Sequence, residues 1–285
     1  MKGSGIVKII LVMSASMILF ISGALLQKFY PLGPILKKLY PGYTSPFKDE
    51  SIKDQHQGKL SIFILAGQAN MEGYGDVSEY EPLLNQDRIY VFDDKYKWKT
   101  GKEPVRRKVG PSISFASELI KNSPDEVIGI VNVAVGNTNI EQWSKSYSDT
   151  SLYQNLMKRT LAASTQGEIK GLLFYQGEND AKGGPKNHYD DWDILFEKFI
   201  RNVRHDLECD SLPVVFSQIG RGDFVKWEEV KESQERVNLN HVTMIKSDDL
   251  EYQKDSIHFT TSAYMVLGKR FAKEYMDKFR ERIKN

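Results

Sequence analysis

The stretch SIFILAGQANMEGYGD, residues 61–76, joins the pattern of a buried β-strand to that of a tight turn. An unbroken apolar run predicts a strand that is covered on both faces, and the glycine after it predicts a sharp turn into a helix. Enzymes commonly carry a nucleophile at such a turn. The turn residue in this chain is Ala69, which has no nucleophilic atom. The stretch therefore predicts an α/β fold and leaves open what its turn does.

Strand-like and helix-like segments alternate from this stretch to the end of the chain. Regular alternation of this kind predicts parallel strands joined by right-handed crossovers. We therefore predict an α/β fold, a three-layer α/β/α sandwich with a parallel, flavodoxin-like sheet. The predicted strands are residues 60–65, 88–92, 127–135, 170–175, 212–219 and 242–246, and the predicted helices are residues 113–122, 151–164, 189–207, 227–238 and 262–283.

Composition excludes several classes of protein. The 285 residues carry 39 Lys and Arg against 38 Asp and Glu, and no basic run is interleaved with aromatic residues, so we predict no nucleic-acid partner. The single cysteine, Cys209, cannot form an internal disulfide. The histidines other than His258 are scattered and are interpreted as surface or loop residues, so we predict no metal site; they are His56, His188, His205 and His241.

An uncharged and mostly apolar segment, residues 9–26, precedes the α/β pattern. Its length suffices for a helix that crosses a bilayer, so we predict an N-terminal transmembrane helix within residues 1–27, with a cleaved signal peptide as the alternative. Residues 28–58 contain scattered Pro and Gly and a rising charge, which predicts a linker. The predicted domain is residues 59–285. Lysines lie on both sides of the apolar segment and do not decide its orientation.

Four stretches of the predicted domain have the chemistry of a reaction site, and parallel sheets bind ligands at the loops that follow their strands. The N–H at position 69 opens a helix, where a developing oxyanion is stabilised. Gly110 has no side chain that would obstruct its own N–H, and the Asn179 amide could donate to the same oxyanion. Asp255 and His258 are spaced so that the carboxylate holds one imidazole nitrogen and the other acts as a base. Each stretch alone is also a common turn or cap.

Taken together, these stretches resemble the SGNH (GDSL-type) hydrolases and, within them, the carbohydrate esterases related to sialate O-acetylesterase. The family blocks GQSNM.G, GP…FA, QGE.D and D..H correspond to GQANMEG, GPSISFA, QGENDA and DSIHF, and VGNTNIEQW matches a glycine-rich stretch before a Trp. The blocks stand in family order over about residues 60–280. The resemblance implies an SGNH fold and removal of acetyl groups from a carbohydrate by a Ser-His-Asp mechanism without a cofactor.

The resemblance also assigns roles to individual residues. It makes His258 the general base, Asp255 its orienting partner and Ala69 the occupant of the nucleophile position. The implied oxyanion hole consists of the N–H groups of Ala69 and Gly110 and the side chain of Asn179, with Gln176 as a possible substitute for Asn179. The expected substrate contacts are Gln68, Glu178 and Trp143. Loops near the strand ends could also bring Tyr74, Trp143 and Arg221 to a sugar, with packing or surface roles as the alternative.

The family has serine where this chain has Ala69, and no other Ser, Thr or Cys occupies the turn. Three interpretations remain open: an alanine introduced to silence an esterase, a natural glycan-binding protein with an esterase fold, or slow hydrolysis by a water that His258 activates. The retained His258 and Asp255 favour the first.

An acetyltransferase that modifies exported polysaccharide could share every one of these motifs. By analogy with the family, the domain is expected outside the cytoplasmic membrane, anchored or secreted. There it would act on an acetylated cell-surface or exported carbohydrate.

Overall fold

The computed structural model describes residues 49–83, 86–123, 125–148 and 151–280. Within them, a seven-stranded sheet forms the middle layer of the molecule. Its strands are β1 (Leu60–Gly67), β2 (Ile89–Phe92), β3 (Trp98–Thr100), β4 (Ile128–Asn132), β5 (Gly167–Tyr175), β6 (Val214–Ser217) and β7 (Val242–Ile245). Across the sheet they follow the order β3-β2-β4-β1-β5-β6-β7, which places β1 at the centre. The strands are parallel apart from β3, which runs antiparallel to β2.

Helices cover both faces of this sheet. They are α1 (Ala69–Glu72), α2 (Ser112–Asn122), α3 (Leu152–Ala163), α4 (Trp192–Asp206), α5 (Trp227–Glu235) and α6 (Thr261–Tyr275). Short 3-10 turns span Asp54–His56, Val77–Glu79, Gln86–Arg88, Ile140–Trp143, Ser164–Gln166 and Asp180–Lys182, and a π-helical turn at Met276–Arg280 follows α6.

Aromatic contacts show which helices lie on which face. Phe63 of β1 packs against Phe115 of α2 and Tyr275 of α6, with ring centroids 4.9 Å apart in both pairs. Phe174 of β5 packs against Phe199 of α4 on the other face. Phe174 is in register with Ala66, three positions after Phe63, and side chains at odd separations point to opposite faces of a strand. The predicted three-layer α/β/α architecture is therefore confirmed for the described residues.

The central strand explains why the apolar runs were good predictors. Every residue of β1 is buried, because β4 and β5 pair with it on both edges and helices cover both faces. All six predicted strands are present. The seventh, β3, was missed because it is three residues long and buries only Trp98. The sheet is mostly parallel, as predicted, and departs from the prediction at this antiparallel edge strand, which a short turn joins to β2.

The predicted anchor at residues 1–27, and the linker as far as residue 48, lie outside the described residues. None of the helices described within residues 49–280 is both long and apolar enough to cross a membrane. The end of the predicted linker packs on the domain: Ile52 is buried, and the Gly58 N–H donates to Gln166 Oε1 at 3.1 Å. His56 is buried with its Nδ1 2.9 Å from the Tyr90 hydroxyl, which corrects its assignment to the surface.

Candidate active site

The turn after β1 is fixed by backbone contacts with β5. Gly67 has a φ of 129°, and a Cβ at this position would lie 2.0 Å from the carbonyl oxygen of Tyr175, so only glycine fits there. The Gln68 N–H donates to the same Tyr175 oxygen at 2.8 Å. The Gln68 carbonyl in turn accepts from the N–H groups of Met71 and Glu72, both at 2.8 Å. Ala69 therefore begins α1 in a turn whose shape does not depend on its own side chain.

His258 and Asp255 form a hydrogen-bonded pair just before α6. The distance from His258 Nδ1 to Asp255 Oδ2 is 2.7 Å, and Asp255 Oδ1 accepts from the N–H groups of Ile257 and His258 at 3.0 and 2.9 Å. Burial alone would raise the pKa of Asp255, but these hydrogen bonds hold it below its ordinary value. An ionised Asp255 accepts the Nδ1 hydrogen, and this assignment leaves Nε2 of His258 free to take up a proton.

Asn70, a residue that the sequence analysis did not single out, joins this pair to the turn. Its side chain is buried, and Nδ2 donates to the Ile257 carbonyl at 3.0 Å and to Glu178 Oε1 at 2.8 Å. Its Oδ1 accepts from the Tyr264 hydroxyl at 2.7 Å. Because Asn70 follows Ala69 and Ile257 precedes His258, these bonds bring the two loops together. The available signal was its place in the block GQANMEG, where the family block GQSNM.G also has asparagine.

Tyr74 lies against the imidazole ring. The Tyr74 and His258 ring centroids are 4.1 Å apart and their planes differ by 4°, which is a stacked arrangement. On Gly136, a Cβ would lie 3.1 Å from the Tyr74 hydroxyl and 3.7 Å from the Ala69 Cβ. Ala69, Gly136, Tyr74 and His258 therefore lie close together, and the space between them is called the cleft below. Tyr74 was an expected sugar contact, and the structure places it beside the expected base.

Gly110 lies beside the same turn. The backbones of Gly75 and Val109 exchange two hydrogen bonds at 2.9 and 3.2 Å, and a Cβ on Gly73 would lie 2.8 Å from the Gly110 Cα. The Gly110 N–H also lies near a buried carboxyl, that of Glu103. Burial raises the pKa of Glu103 to about 8 against the opposing effect of nearby backbone N–H groups, including that of Gly110.

The two amides expected after β5 differ in availability. Both Nε2 hydrogens of Gln176 are used, because Nε2 donates to the Thr138 carbonyl at 2.9 Å and to Asp180 Oδ2 at 2.6 Å. Gln176 is fully buried, so its expected role as a substitute oxyanion donor is corrected. Asn179 is half-buried, and its Oδ1 accepts from Lys182 at 2.8 Å. Its Nδ2 has no hydrogen-bond partner among the described residues and keeps its donors.

Three expected substrate contacts lie inside the protein. Gln68 is 3% exposed, Glu178 is 2% exposed and Trp143 is fully buried. The Trp143 ring packs edge-on against the core phenylalanines of β5 and α4. The burial of these three side chains favours packing roles over contact with a sugar, and their assignment as substrate contacts stays a prediction. No group of three or more His, Cys, Asp or Glu side chains that could hold a metal ion occurs within the described part of the chain.

Glu178 nevertheless lies close to the expected catalytic residues, because it contacts Asn70. One of its oxygens accepts from Asn70, while Oε2 is buried without a partner among the described residues. Burial raises the pKa of Glu178 to about 7. Its position behind Asn70 gives it a supporting role for the loop that carries His258.

Comparisons with known proteins find similar sequences. A family model described as a carbohydrate esterase, sialic acid-specific acetylesterase, matches residues 59–277. A probable carbohydrate esterase of Arabidopsis thaliana is 30% identical in an alignment 243 residues long, which covers 76% of this chain and 91% of that protein.

Solved structures give the same picture of the fold. The crystal structure of the Arabidopsis protein aligns with a TM-score of 0.70 at 30% identity, covering 78% of this chain and 99% of that one. A carbohydrate acetylesterase from Xanthomonas citri is 20% identical and has a TM-score of 0.59, covering 76% of this chain and 56% of that one. At 20% identity this second likeness concerns the fold alone.

Proposed function

This chain belongs to the carbohydrate esterase family of sialic acid-specific acetylesterases, and from that membership we propose that its cleft binds an acetyl ester of a carbohydrate. Members of this family are hydrolases that act on ester bonds. The 2.7 Å hydrogen bond between His258 Nδ1 and Asp255 Oδ2 carries the proposal. It supplies an oriented base beside the turn in which the family places its nucleophile.

With serine at position 69, the cleft would support acyl transfer in two steps. The serine Oγ attacks the acetyl carbon and gives its proton to His258 Nε2, and the carbonyl oxygen becomes an oxyanion. The N–H groups of residues 69 and 110 and the Asn179 amide would donate to that oxyanion. The bond to the sugar oxygen then breaks, and His258 returns the proton to that oxygen. A water molecule repeats the sequence on the acetyl-enzyme and releases acetate.

With Ala69, no acetyl-enzyme can form, because a methyl group cannot attack the carbonyl. The remaining groups could still bind the ester and polarise a water. Removing a triad nucleophile costs on the order of a million-fold in turnover. We therefore propose that the chain as it stands binds its substrate and cleaves it slowly or not at all. This same Ala69 favours the second candidate function, a glycan-binding protein that retains an esterase cleft.

The proposal includes where the domain lies relative to a membrane. The predicted anchor within residues 1–27 would hold the domain at a membrane, with a cell-surface or exported carbohydrate as its substrate. Protease treatment of intact cells would test this, because an extracytoplasmic domain is digested while a cytoplasmic marker survives. Protection of the domain until the cells are lysed would contradict it.

Acetate release is the test of the chemistry. The full-length chain, Ala69→Ser and the double variant Ala69→Ser with His258→Ala would be compared on an aryl acetate and on an acetylated oligosaccharide. We expect Ala69→Ser to raise turnover by several orders of magnitude and the double variant to lose that gain. Ala69→Gly is the matched control, since it changes the same position without adding a hydroxyl.

Two other outcomes would replace the esterase. If Ala69→Ser stays inert on both substrates while the chain still binds glycan, the function is binding. If acetyl groups appear on an added glycan instead of as free acetate, the protein is a transferase.

A further inference from the structure

The Tyr74 ring makes a contact with His258 that the proposed reaction does not by itself require. The two ring centroids are 4.1 Å apart and the planes differ by 4°. Asp255 holds the Nδ1 end of the imidazole at 2.7 Å, but a single hydrogen bond does not fix the tilt of the ring. A second ring stacked flat on its face does. The two contacts together therefore define one orientation of the imidazole.

The backbones that carry the two rings are tied to each other through Gln253. Its Nε2 donates to the carbonyls of Tyr74 and Phe259, at 2.9 and 2.8 Å. Its own N–H donates to the His258 carbonyl at 2.7 Å. Tyr74 follows α1 and His258 precedes α6, so Gln253 joins two loops that are far apart in the chain. The stacked pair therefore rests on a backbone frame that sets the positions of both rings.

Arg107 holds the Tyr74 ring at its hydroxyl end. Its Nη1 donates to the Tyr74 hydroxyl at 2.8 Å, and its guanidinium carbon lies over the ring, 5.0 Å from the centroid. A cation is attracted to an aromatic face, and a hydrogen bond from a charged donor is stronger than a neutral one. Arg107 therefore stabilises the position of Tyr74 that is needed for the stack.

A contact with a sugar is the alternative role for Tyr74. The His258 ring covers one face of the Tyr74 ring, so that face is closed to a sugar. The hydroxyl already accepts from Arg107, and a Cβ on Gly136 would lie 3.1 Å from it. These contacts favour a role that Tyr74 exerts through His258.

We propose that Tyr74 is a positioning residue for the base: its ring sets the tilt of the His258 imidazole so that Nε2 faces position 69, and Arg107 holds Tyr74 in place. The proposal rests on the function proposed above, which makes His258 the base. When His258 takes up the serine proton, the face of the Tyr74 ring also favours the imidazolium. Tyr74 and Arg107 lie outside the sequence blocks GQANMEG and GPSISFA.

Proton NMR of the full-length chain with Ala69 tests the stack without any turnover. The chain has five histidines, so ¹³C labelling of their Cε1 atoms gives few resonances, and His258→Gln identifies the one from His258. The ring current of a stacked aromatic ring moves the resonance of a facing proton upfield. We expect the His258 resonance to lie upfield, to stay there in Tyr74→Phe and to move downfield in Tyr74→Leu. Arg107→Gln should move it part of the way.

Turnover in the Ala69→Ser background tests the positioning role. Tyr74→Leu should lower kcat about tenfold on both the aryl acetate and the acetylated oligosaccharide, with KM changed less than about twofold. Tyr74→Phe keeps the stack and should recover most of the loss. Arg107→Gln should cost about threefold and add little to Tyr74→Phe, which has already lost the hydroxyl that Arg107 binds. Lys108→Gln is the matched control, because it removes an exposed charge from the next residue.

The outcomes separate this role from a sugar contact and from the proposed function. A His258 resonance that is the same in Tyr74→Leu overturns the stack. A loss confined to the oligosaccharide, seen as a higher KM, overturns the positioning role and makes Tyr74 a sugar contact. If Ala69→Ser is inert while Tyr74→Leu still moves the resonance, the function proposed above is overturned and the orientation of His258 by Tyr74 is supported. Arg107 is exposed, so Arg107→Gln keeps the test decisive if Tyr74→Leu does not fold.

Discussion

The loop after β1 and the loop after β5 leave the sheet side by side, since Gly67 and Tyr175 are partners in the parallel register. Both loops are rich in amide and carboxylate side chains, as GQANME and QGEND show. The loop after β1 leads into α1 at the cleft that contains His258. The second turns most of its polar groups into the protein, where Gln176 and Asp180 are fully buried.

Hydrogen bonds inside the protein explain why the polar groups of the loop after β5 are buried. Asp180 accepts from Gln176 Nε2 and from the N–H groups of Ile140 and His188, at 2.6, 3.0 and 3.0 Å. Gln176 Oε1 accepts from the Trp192 indole at 2.7 Å. A group whose hydrogen bonds are satisfied inside the protein has nothing to offer a substrate. Polar residues at a strand end therefore locate the edge that carries the site, whereas hydrogen-bond partners decide which of them can act.

The largest change in stability is expected when the hydrogen bonds of Asp180, in the loop after β5, are removed. Asp180→Ala leaves two buried donors and one partly buried donor without this acceptor, so we expect the free energy of unfolding to fall by about 4 kcal/mol. Urea denaturation at pH 8 would measure it. Asp180→Asn retains an acceptor oxygen and should lose about half as much. A loss below about 1 kcal/mol for the alanine variant would show that the network is not structural.

A smaller loss is expected at the residue that joins the two loops. Asn70→Ala removes hydrogen bonds to Glu178, Ile257 and Tyr264, and we expect a loss of about 3 kcal/mol in urea denaturation. In the Ala69→Ser background it should also lower turnover, because the loop that holds His258 loses its tie to the turn. The exposed Asn122→Ala serves as the control. Unchanged turnover would contradict the positioning role of Asn70.

Glu178 predicts a pH dependence of stability. Its pKa of about 7 in the folded protein lies above the ordinary 4.5, so the folded state keeps a proton that the unfolded state releases. Stability should therefore fall by about 2 kcal/mol from pH 5 to pH 7 through this group, at about 1.4 kcal/mol for each pKa unit. Glu178→Gln should remove that part of the slope. The exposed Glu79→Gln should leave it unchanged, and an equally steep fall in Glu178→Gln would contradict the assignment.

The smallest change in stability is expected at Asn179, which is more exposed than the other polar residues of QGEND, in the loop after β5. Asn179 is half-buried, so Asn179→Ala should alter the free energy of unfolding by less than about 0.5 kcal/mol. In the Ala69→Ser background we expect turnover to fall about a hundredfold through loss of an oxyanion donor. Asn137→Gly is the matched control, because Asn137 also accepts from Lys182 and its φ of 60° suits glycine. Equal effects of the two changes on turnover would remove Asn179 from the oxyanion hole.

Local patterns in the sequence were sufficient for most of the fold. The apolar runs identify six strands because strands covered on both faces must be apolar, and the spacing of Asp255 and His258 is enough to bring them within 2.7 Å. The short edge strand β3 has no such run. Trp143 is the last residue of a 3-10 turn that Asn139 caps, and its ring lies in the core. The sequence blocks do not indicate that direction.

Features assembled from distant positions were not predictable in this way. Asn70 meets Ile257 across 187 positions of the chain, and Arg159 meets Phe92 across 67. Motif spacing carries no information about such pairs, because the sheet order decides which loops become neighbours.

The backbone support of the turn at Ala69 has an evolutionary consequence. Gly67, the Gln68 carbonyl and Asn70 hold the turn, so the side chain at position 69 contributes little to its shape. Alanine and serine codons differ by a single nucleotide. A lineage that carries this scaffold is therefore one mutational step from gaining or losing its nucleophile, and neither state has to rebuild the fold to reach the other.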